Sequence, residues 1–174
     1  RWYFFIYDRT RCFIPKNRFT LVLRPWLLKK LSKKLNAEII PLSEDCHEFV
    51  ELNTEATKIN IFPPKKDVVR LREKFGEMQE LYVTYSNSRW IEIMASGVSK
   101  WKGILRLAEV LRINESEIAA IGDYNNDIPM IENAEIGFAV GNASDEVKEI
   151  ADRIVSTVDN SGVAEAIRIA LNEK

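Results

Sequence analysis

Hydrophobic and polar positions follow one rhythm in the first half of the chain and another in the second. In the first half, short apolar or alternating runs bounded by turn residues predict strands. These are Trp2 to Tyr7 and Cys12-Phe13-Ile14, paired as a hairpin around Asp8-Arg9-Thr10, then Phe19 to Leu23, Glu38 to Pro41, Glu48 to Leu52, Lys58 to Phe62, Leu81 to Tyr85 and Trp90 to Met94. Helical spacing interrupts them twice. Pro25 opens a helix that runs to Leu35, with Leu27, Leu28, Leu31 and Leu35 on one stripe. After the break at Pro63-Pro64, Lys66 to Phe75 reads as a second helix with Val68, Val69 and Leu71 turned inward.

Beyond Ala95-Ser96-Gly97 the pattern changes. Ser99 is placed to cap a helix whose apolar face carries Ile104, Leu105, Leu107, Ala108 and Leu111. Strand and helix then alternate through Ile118–Ile121, Asp127–Glu132, Ile136–Val140, Asp145–Ala151, Arg153–Val155 and Gly162–Leu171. Alternation of this kind predicts βα units around a parallel sheet. The expected fold class is therefore α/β, with a mixed α+β domain over residues 1–94 and a parallel sheet with helices over residues 95–174. No internal repeat or low-complexity segment intervenes.

Composition narrows the function classes. The chain has 174 residues, 46% of them hydrophobic and 29% charged, an ordinary globular balance. A net charge of −1 and a pI near 6.0 give no overall field to attract nucleic acid or an acidic membrane surface. No apolar run reaches the roughly 20 residues that cross a bilayer. The opening Arg1-Trp2-Tyr3-Phe4-Phe5-Ile6 is too short for a signal peptide and lacks a cleavage pattern. Cys12 and Cys46 show neither metal-ligand spacing nor a disulfide framework, so a reducing cytoplasm is the expected compartment. The first residue is Arg, and the chain is expected to be a fragment.

The candidate chemistry lies at Gly122-Asp123-Tyr124-Asn125-Asn126-Asp127, immediately after the apolar run Ile118-Ala119-Ala120-Ile121. In open parallel sheets, ligands bind outside the carboxyl ends of the strands, which is where these side chains fall. Asp123 and Asp127 offer hard oxygen ligands, which suit Mg²⁺, an ion that takes one or two carboxylates together with substrate phosphates and water. The same residue types also build turns and cap helices. Elsewhere the signals are weaker. His47, with Asp45, Cys46 and Glu48, fits a loop or strand edge better than a metal site. The aromatic run from Trp2 to Tyr7, with Arg9 and Arg11, fits a packed sheet better than a base-stacking surface. Lys29, Lys30, Lys33 and Lys34 read as the solvated face of a helix. No Gly-x-Ser-x-Gly occurs.

From about residue 80 onward the chain resembles the C-terminal part of the Cof-type phosphatases, a branch of the haloacid dehalogenase (HAD) superfamily. The motifs that carry the resemblance are Trp90-Ile91-Glu92-Ile93 followed by Gly97-Val98-Ser99-Lys100, then the Gly122–Asp127 run with Pro129-Met130, then Val140-Gly141-Asn142-Ala143, and last Asn160-Ser161-Gly162-Val163. Residues 1–80 are similar in pattern to the later part of that branch's α/β cap. The resemblance implies phosphoester hydrolysis with Mg²⁺ through an aspartyl-phosphate. By match to the family motifs, Lys100 offsets charge on the nucleophile and the transferring phosphoryl group, Asp123 binds Mg²⁺ with Asn126 in the metal shell, Asp127 orients that shell and pairs with Lys100, and Asn142 lies near substrate.

The family's N-terminal Asp-x-Asp-Gly-Thr is not found. No Asp-x-Asp occurs anywhere, and Tyr7-Asp8-Arg9-Thr10 has Thr where the second Asp belongs. The expectation is a cap followed by the C-terminal part of a HAD core, with the nucleophile outside this chain and the chain alone inactive. The rival readings are a non-catalytic divalent-cation or regulatory module and a diverged enzyme using Asp8. The implied partner is a small phosphorylated molecule such as a sugar phosphate, not nucleic acid or membrane. Strand 118–121 is expected to leave an open sheet edge, favouring self-association or pairing with the missing core segment.

Overall fold

The turn at Asp8 shows how local chemistry sets the first strands. Strand β1 (Tyr3–Tyr7) pairs antiparallel with β2 (Arg11–Pro15), Ile6 opposite Phe13 and Tyr7 opposite Cys12. The Asp8 carboxylate accepts the Thr10 N–H at 2.9 Å, the Arg11 N–H at 2.7 Å and Arg11 Nε at 2.6 Å, a turn closed by its own side chain. Burial works to raise the Asp8 carboxyl, but the Thr10 and Arg11 hydrogen bonds with the Arg11 charge outweigh it and hold it at about 2. Asp8 is thus a turn residue paired with Arg11.

The computed structural model describes residues 3–15, 32, 33, 37–42, 49, 51 and 55–172. Its elements continue with β3 (Glu38–Leu42), β4 (Lys58–Phe62), helix α1 (Val68–Gly76), β5 (Leu81–Thr84) and β6 (Ile91–Ala95). These strands form a six-stranded sheet in the order β3-β2-β1-β4-β6-β5, antiparallel at the β1–β2, β1–β4 and β4–β6 pairs and parallel between β2 and β3. Pro41 lies on β3, which is an edge strand among the described residues, where a missing N–H need leave no ladder bond unmade. Two apolar clusters line the sheet. Ile6, Phe13 and Leu42 pack with Phe4, Ile40, Phe49 and Ile59, and Leu71, Ile91 and Ile93 pack with Ile61, Phe75, Leu81 and Val83. The alternate strand positions carry Tyr7, Cys12, Lys58, Asn60 and Glu92, with Lys58 Nζ 2.6 Å from Glu92 Oε2. Burial beside the Cys12 thiol pushes the Tyr7 phenol up to about 12.

Several expectations are corrected here. Phe49 and Glu51 are helical, not part of a strand. The short run Glu48–Leu52 fits either period, and the Phe49 ring packs edge-on against Phe13 at 4.9 Å, an anchor that tertiary contact supplies. Val69 is 65% exposed, because the inward stripe of α1 is Val68, Leu71 and Phe75. Ser32 and Lys33 are helical, Lys33 exposed, while the rest of the Pro25–Leu35 helix, the Phe19–Leu23 strand and His47 with Asp45 and Cys46 lie outside the described residues.

The second compact unit takes Thr84–Ser88 and Gly97–Lys174, and the first takes Arg1–Val83 and Arg89–Ser96. The second contains helix α2 (Lys100–Leu111), β7 (Ala119–Gly122), a 3₁₀ turn at Asn125–Asp127, α3 (Ile128–Asn133), β8 (Ile136–Val140), α4 (Asp145–Ile150), β9 (Arg153–Val155) and α5 (Gly162–Asn172). Strands β7, β8 and β9 form a parallel sheet in that order, as the alternating pattern predicts. The central strand β8 is buried from Gly137 to Val140, the near-continuous apolar run of a strand covered on both faces. Phe138, Ile131, Val147, Val155 and Ala166 make its core, and burying each of the larger side chains stabilises by roughly 1.5–3 kcal/mol. The inward stripe of α2 is Trp101 and Ala108, with Ile104 and Leu105 partly covered. Leu107 and Leu111, expected on that face, are 58% and 57% exposed. The outer edge of β7 has no strand partner among the described residues.

Candidate active site

Strand β7 delivers Gly122 and Asp123 to the carboxyl edge of the parallel sheet. The chain then turns through Asn125–Asp127 and brings Asp127 back beneath the strand end. Only glycine permits this return. A Cβ on residue 122 would lie 2.3 Å from Asp127 Cβ and 2.7 Å from its Oδ2.

Asp127 is 4% exposed and uses both carboxylate oxygens. Oδ2 accepts the Asp123 N–H at 3.0 Å and, more weakly, the Tyr124 N–H at 3.4 Å. Oδ1 accepts from Lys100 Nζ in a close ion pair. Lys100 keeps 48% of its side chain exposed, so its ammonium is anchored yet open to a ligand. Its place in the first turn of α2 follows from Ser99, which caps the helix by accepting the Lys102 N–H at 3.2 Å. That register leaves Lys102 exposed.

Asp123 is exposed beside the pair that Lys100 makes with the buried Asp127. Partial desolvation and the Asp127 carboxylate next to it push the Asp123 carboxyl up, and the Lys100 charge offsets this only in part. Two carboxylates beside one lysine leave negative charge that a hard cation would relieve. Among the described residues no group of three or more His, Cys, Asp or Glu side chains converges.

The neighbouring loops fix this turn. The Ser144 N–H donates to the Asp123 carbonyl at 3.0 Å, tying the loop after β8 to the end of β7. Asn142 Oδ1 accepts the Val158 N–H at 3.0 Å, so it bridges the loops after β8 and β9. Asn126 lies in the 3₁₀ turn and donates its backbone N–H to the Tyr85 carbonyl at 3.3 Å. Asn125 Oδ1 accepts the Thr84 hydroxyl at 2.9 Å. Lys100, Asp123, Asn126 and Asp127 are thus gathered at one strand end, and Asn142 anchors the adjoining loops. Thr84 and Tyr85 are not legible as site residues in the sequence. They end an ordinary apolar strand, and their role comes from contacts about 40 residues away in the chain.

A family model described as haloacid dehalogenase-like hydrolase matches residues 2–167. A 5-amino-6-(5-phospho-D-ribitylamino)uracil phosphatase of Bacillus subtilis is 42% identical over 96 residues, covering 55% of this chain and 39% of that protein. A phosphoglycolate phosphatase of Archaeoglobus fulgidus is 45% identical over 76 residues, 44% of this chain and 34% of the relative. This chain thus spans well under half the length of these relatives. A haloacid dehalogenase-like hydrolase structure from B. subtilis superposes with a TM-score of 0.77 at 24% identity, over 96% of this chain and 65% of that one, a likeness of fold. Among the described residues no helix is long and apolar enough to cross a membrane. An α/β chain with a parallel sheet, a preceding mixed α+β unit and a family model matched over nearly its whole length belongs to the haloacid dehalogenase-like hydrolases, in their Cof-type branch.

Proposed function

We propose that these residues are part of a Mg²⁺-dependent phosphatase acting on a small phosphorylated metabolite such as a sugar phosphate. The observation that carries the reading is the ion pair of Lys100 with the buried Asp127, set beside Asp123 at the carboxyl end of β7. Phosphoryl transfer needs little covalent chemistry from the protein beyond an attacking group. Positioning and charge stabilisation do most of the work.

In this reading Asp123 and Asn126 hold Mg²⁺, which when bound neutralises charge on the phosphoryl oxygens. Asp127 does not meet substrate. It holds Lys100 by one oxygen and the Asp123 backbone by the other, so the cation and the metal-binding carboxylate keep a fixed spacing. Lys100 contributes its exposed ammonium to the phosphoryl group. Asn142 borders the substrate side and keeps the two loops together. In this reading the attacking carboxylate comes from a part of the protein outside these 174 residues, within which no Asp-x-Asp occurs. That segment would pair along the open edge of β7. Cytoplasmic location accords with the reading, with Cys12 a buried free thiol. The two phosphatase relatives are named for different substrates, so their names support a phosphomonoester without choosing one.

The test compares the complete gene product with the 174-residue chain on p-nitrophenyl phosphate and a panel of phosphomonoesters, with Mg²⁺ present. The expected outcome is turnover by the complete protein and none by the chain. Turnover by the chain that Asp8→Asn abolishes would overturn the reading, as would a complete protein that binds Mg²⁺ and hydrolyses no phosphomonoester.

A further inference from the structure

We propose that Thr84 and Tyr85 are positioning residues of the candidate active site, holding the Asn125–Asp127 turn in the register that aims Asp127 at Lys100. The proposal rests on the phosphatase reading for its kinetic consequences but not for its structural ones.

Three consecutive turn residues are gripped by these two, each through different chemistry. The Tyr85 ring packs edge-to-face against Tyr124, with centroids 5.8 Å apart and planes at 78°. The Thr84 hydroxyl donates to Asn125 Oδ1 at 2.9 Å. The Tyr85 carbonyl accepts the Asn126 N–H at 3.3 Å. The Tyr85 hydroxyl in turn donates to Glu146 Oε2 at 3.2 Å, which steadies the tyrosine from the first turn of α4. Asp127 follows directly, with its carboxylate on Lys100 and the Asp123 amide.

Thr84 is the informative residue. It is 1% exposed at the end of an apolar strand, where a valine of nearly the same shape would satisfy packing. A buried hydroxyl is costly unless it is bonded, and this one spends its proton on the turn. The Thr84 hydroxyl bonds to Asn125 and not to Lys100, Asp123 or Asp127. Their influence runs through geometry, and a misplacement of about 1 Å at a reacting group can cost on the order of 10²-fold in rate.

The test uses the full-length protein with Thr84→Val, which keeps shape and removes the hydroxyl, and Thr84→Ser, which restores a donor. Amide exchange is read at Asn126 and Asp127 and, for reference, at Phe138–Val140 in β8. Loss of one buried hydrogen bond should speed exchange at the turn by about tenfold in Thr84→Val, with β8 unchanged within about threefold. In the same variant kcat should fall by about tenfold with KM for substrate within about threefold, the pattern of lost positioning and not of lost binding. Thr84→Ser should recover both. Unchanged exchange at the turn, a uniform loss of protection that includes β8, or no recovery in Thr84→Ser would each overturn the proposal. If Thr84→Val does not fold, Asn125→Ala breaks the same bond from its other end and carries the same expectations. Exchange needs no turnover, so the clamp is tested even in a protein that proves not to be a phosphatase.

Discussion

Lys100→Ala should lower kcat of the complete protein by about 10²–10³-fold, the usual cost of removing one preorganised group that stabilises transition-state charge. The structure gives two reasons for a loss this large. The ammonium is held on a carboxylate that is itself buried and bonded to the loop backbone, so its position is fixed before substrate arrives. Its removal also leaves the Asp127 carboxylate, 4% exposed, without a counter-charge. Lys102 provides the internal control. It is exposed and its backbone, not its ammonium, serves the Ser99 cap. Lys102→Ala should stay within about threefold of wild type, since exposed solvated charges contribute little. Steady-state kinetics on the two variants checks this, and the opposite ranking would place the catalytic lysine in the wrong register.

Gly122→Ala should be the most destabilising single-methyl change in the turn that follows β7. The added carbon would meet Asp127 Cβ at 2.3 Å and Cγ at 2.6 Å, and both side chain and strand end are boxed in. Relief requires Asp127 to swing away, which breaks its bonds to the Asp123 amide and to Lys100. Overpacking with loss of a buried hydrogen bond costs about 2–4 kcal/mol, which for a protein of this size lowers Tm by roughly 5–15 °C. Gly103 offers the contrast. A Cβ there meets nothing within 4 Å inside α2, so Gly103→Ala should be neutral or stabilise by up to about 1 kcal/mol. Thermal unfolding of both variants decides the matter, and equal Tm values for the two would show that the strand end relaxes freely.

The residues whose chemistry is local were legible in the sequence. Gly122-Asp123 after an apolar run, and Ser99 ahead of a helical stripe, each announce a strand end and a cap without outside help, and the structure puts Lys100 and Asp127 in contact as expected. The alternation from Ile118 to Leu171 likewise specified a parallel sheet. What could not be read depends on partners remote in sequence. Glu48–Leu52 reads as a strand, yet Phe49 and Glu51 are helical and Phe49 packs on Phe13, a contact the local pattern does not reveal. The inward stripe of α2 turned on Trp101, not on Leu107 and Leu111. Thr84 looked like one more β-branched strand residue, because nothing near it in the chain reveals that its hydroxyl meets Asn125.

The central claim is that Asp123, beside the Lys100–Asp127 pair, makes a Mg²⁺-dependent phosphoryl-transfer site. It is tested most directly by titrating Mg²⁺ into the phosphatase assay of the complete protein, as wild type and as Asp123→Asn. Loss of a ligand carboxylate should raise the half-saturating Mg²⁺ concentration by about 10–100-fold or more, with the wild-type rate vanishing in chelator. Identical Mg²⁺ dependence in the two proteins, or full wild-type turnover in chelator, would contradict the assignment of Asp123.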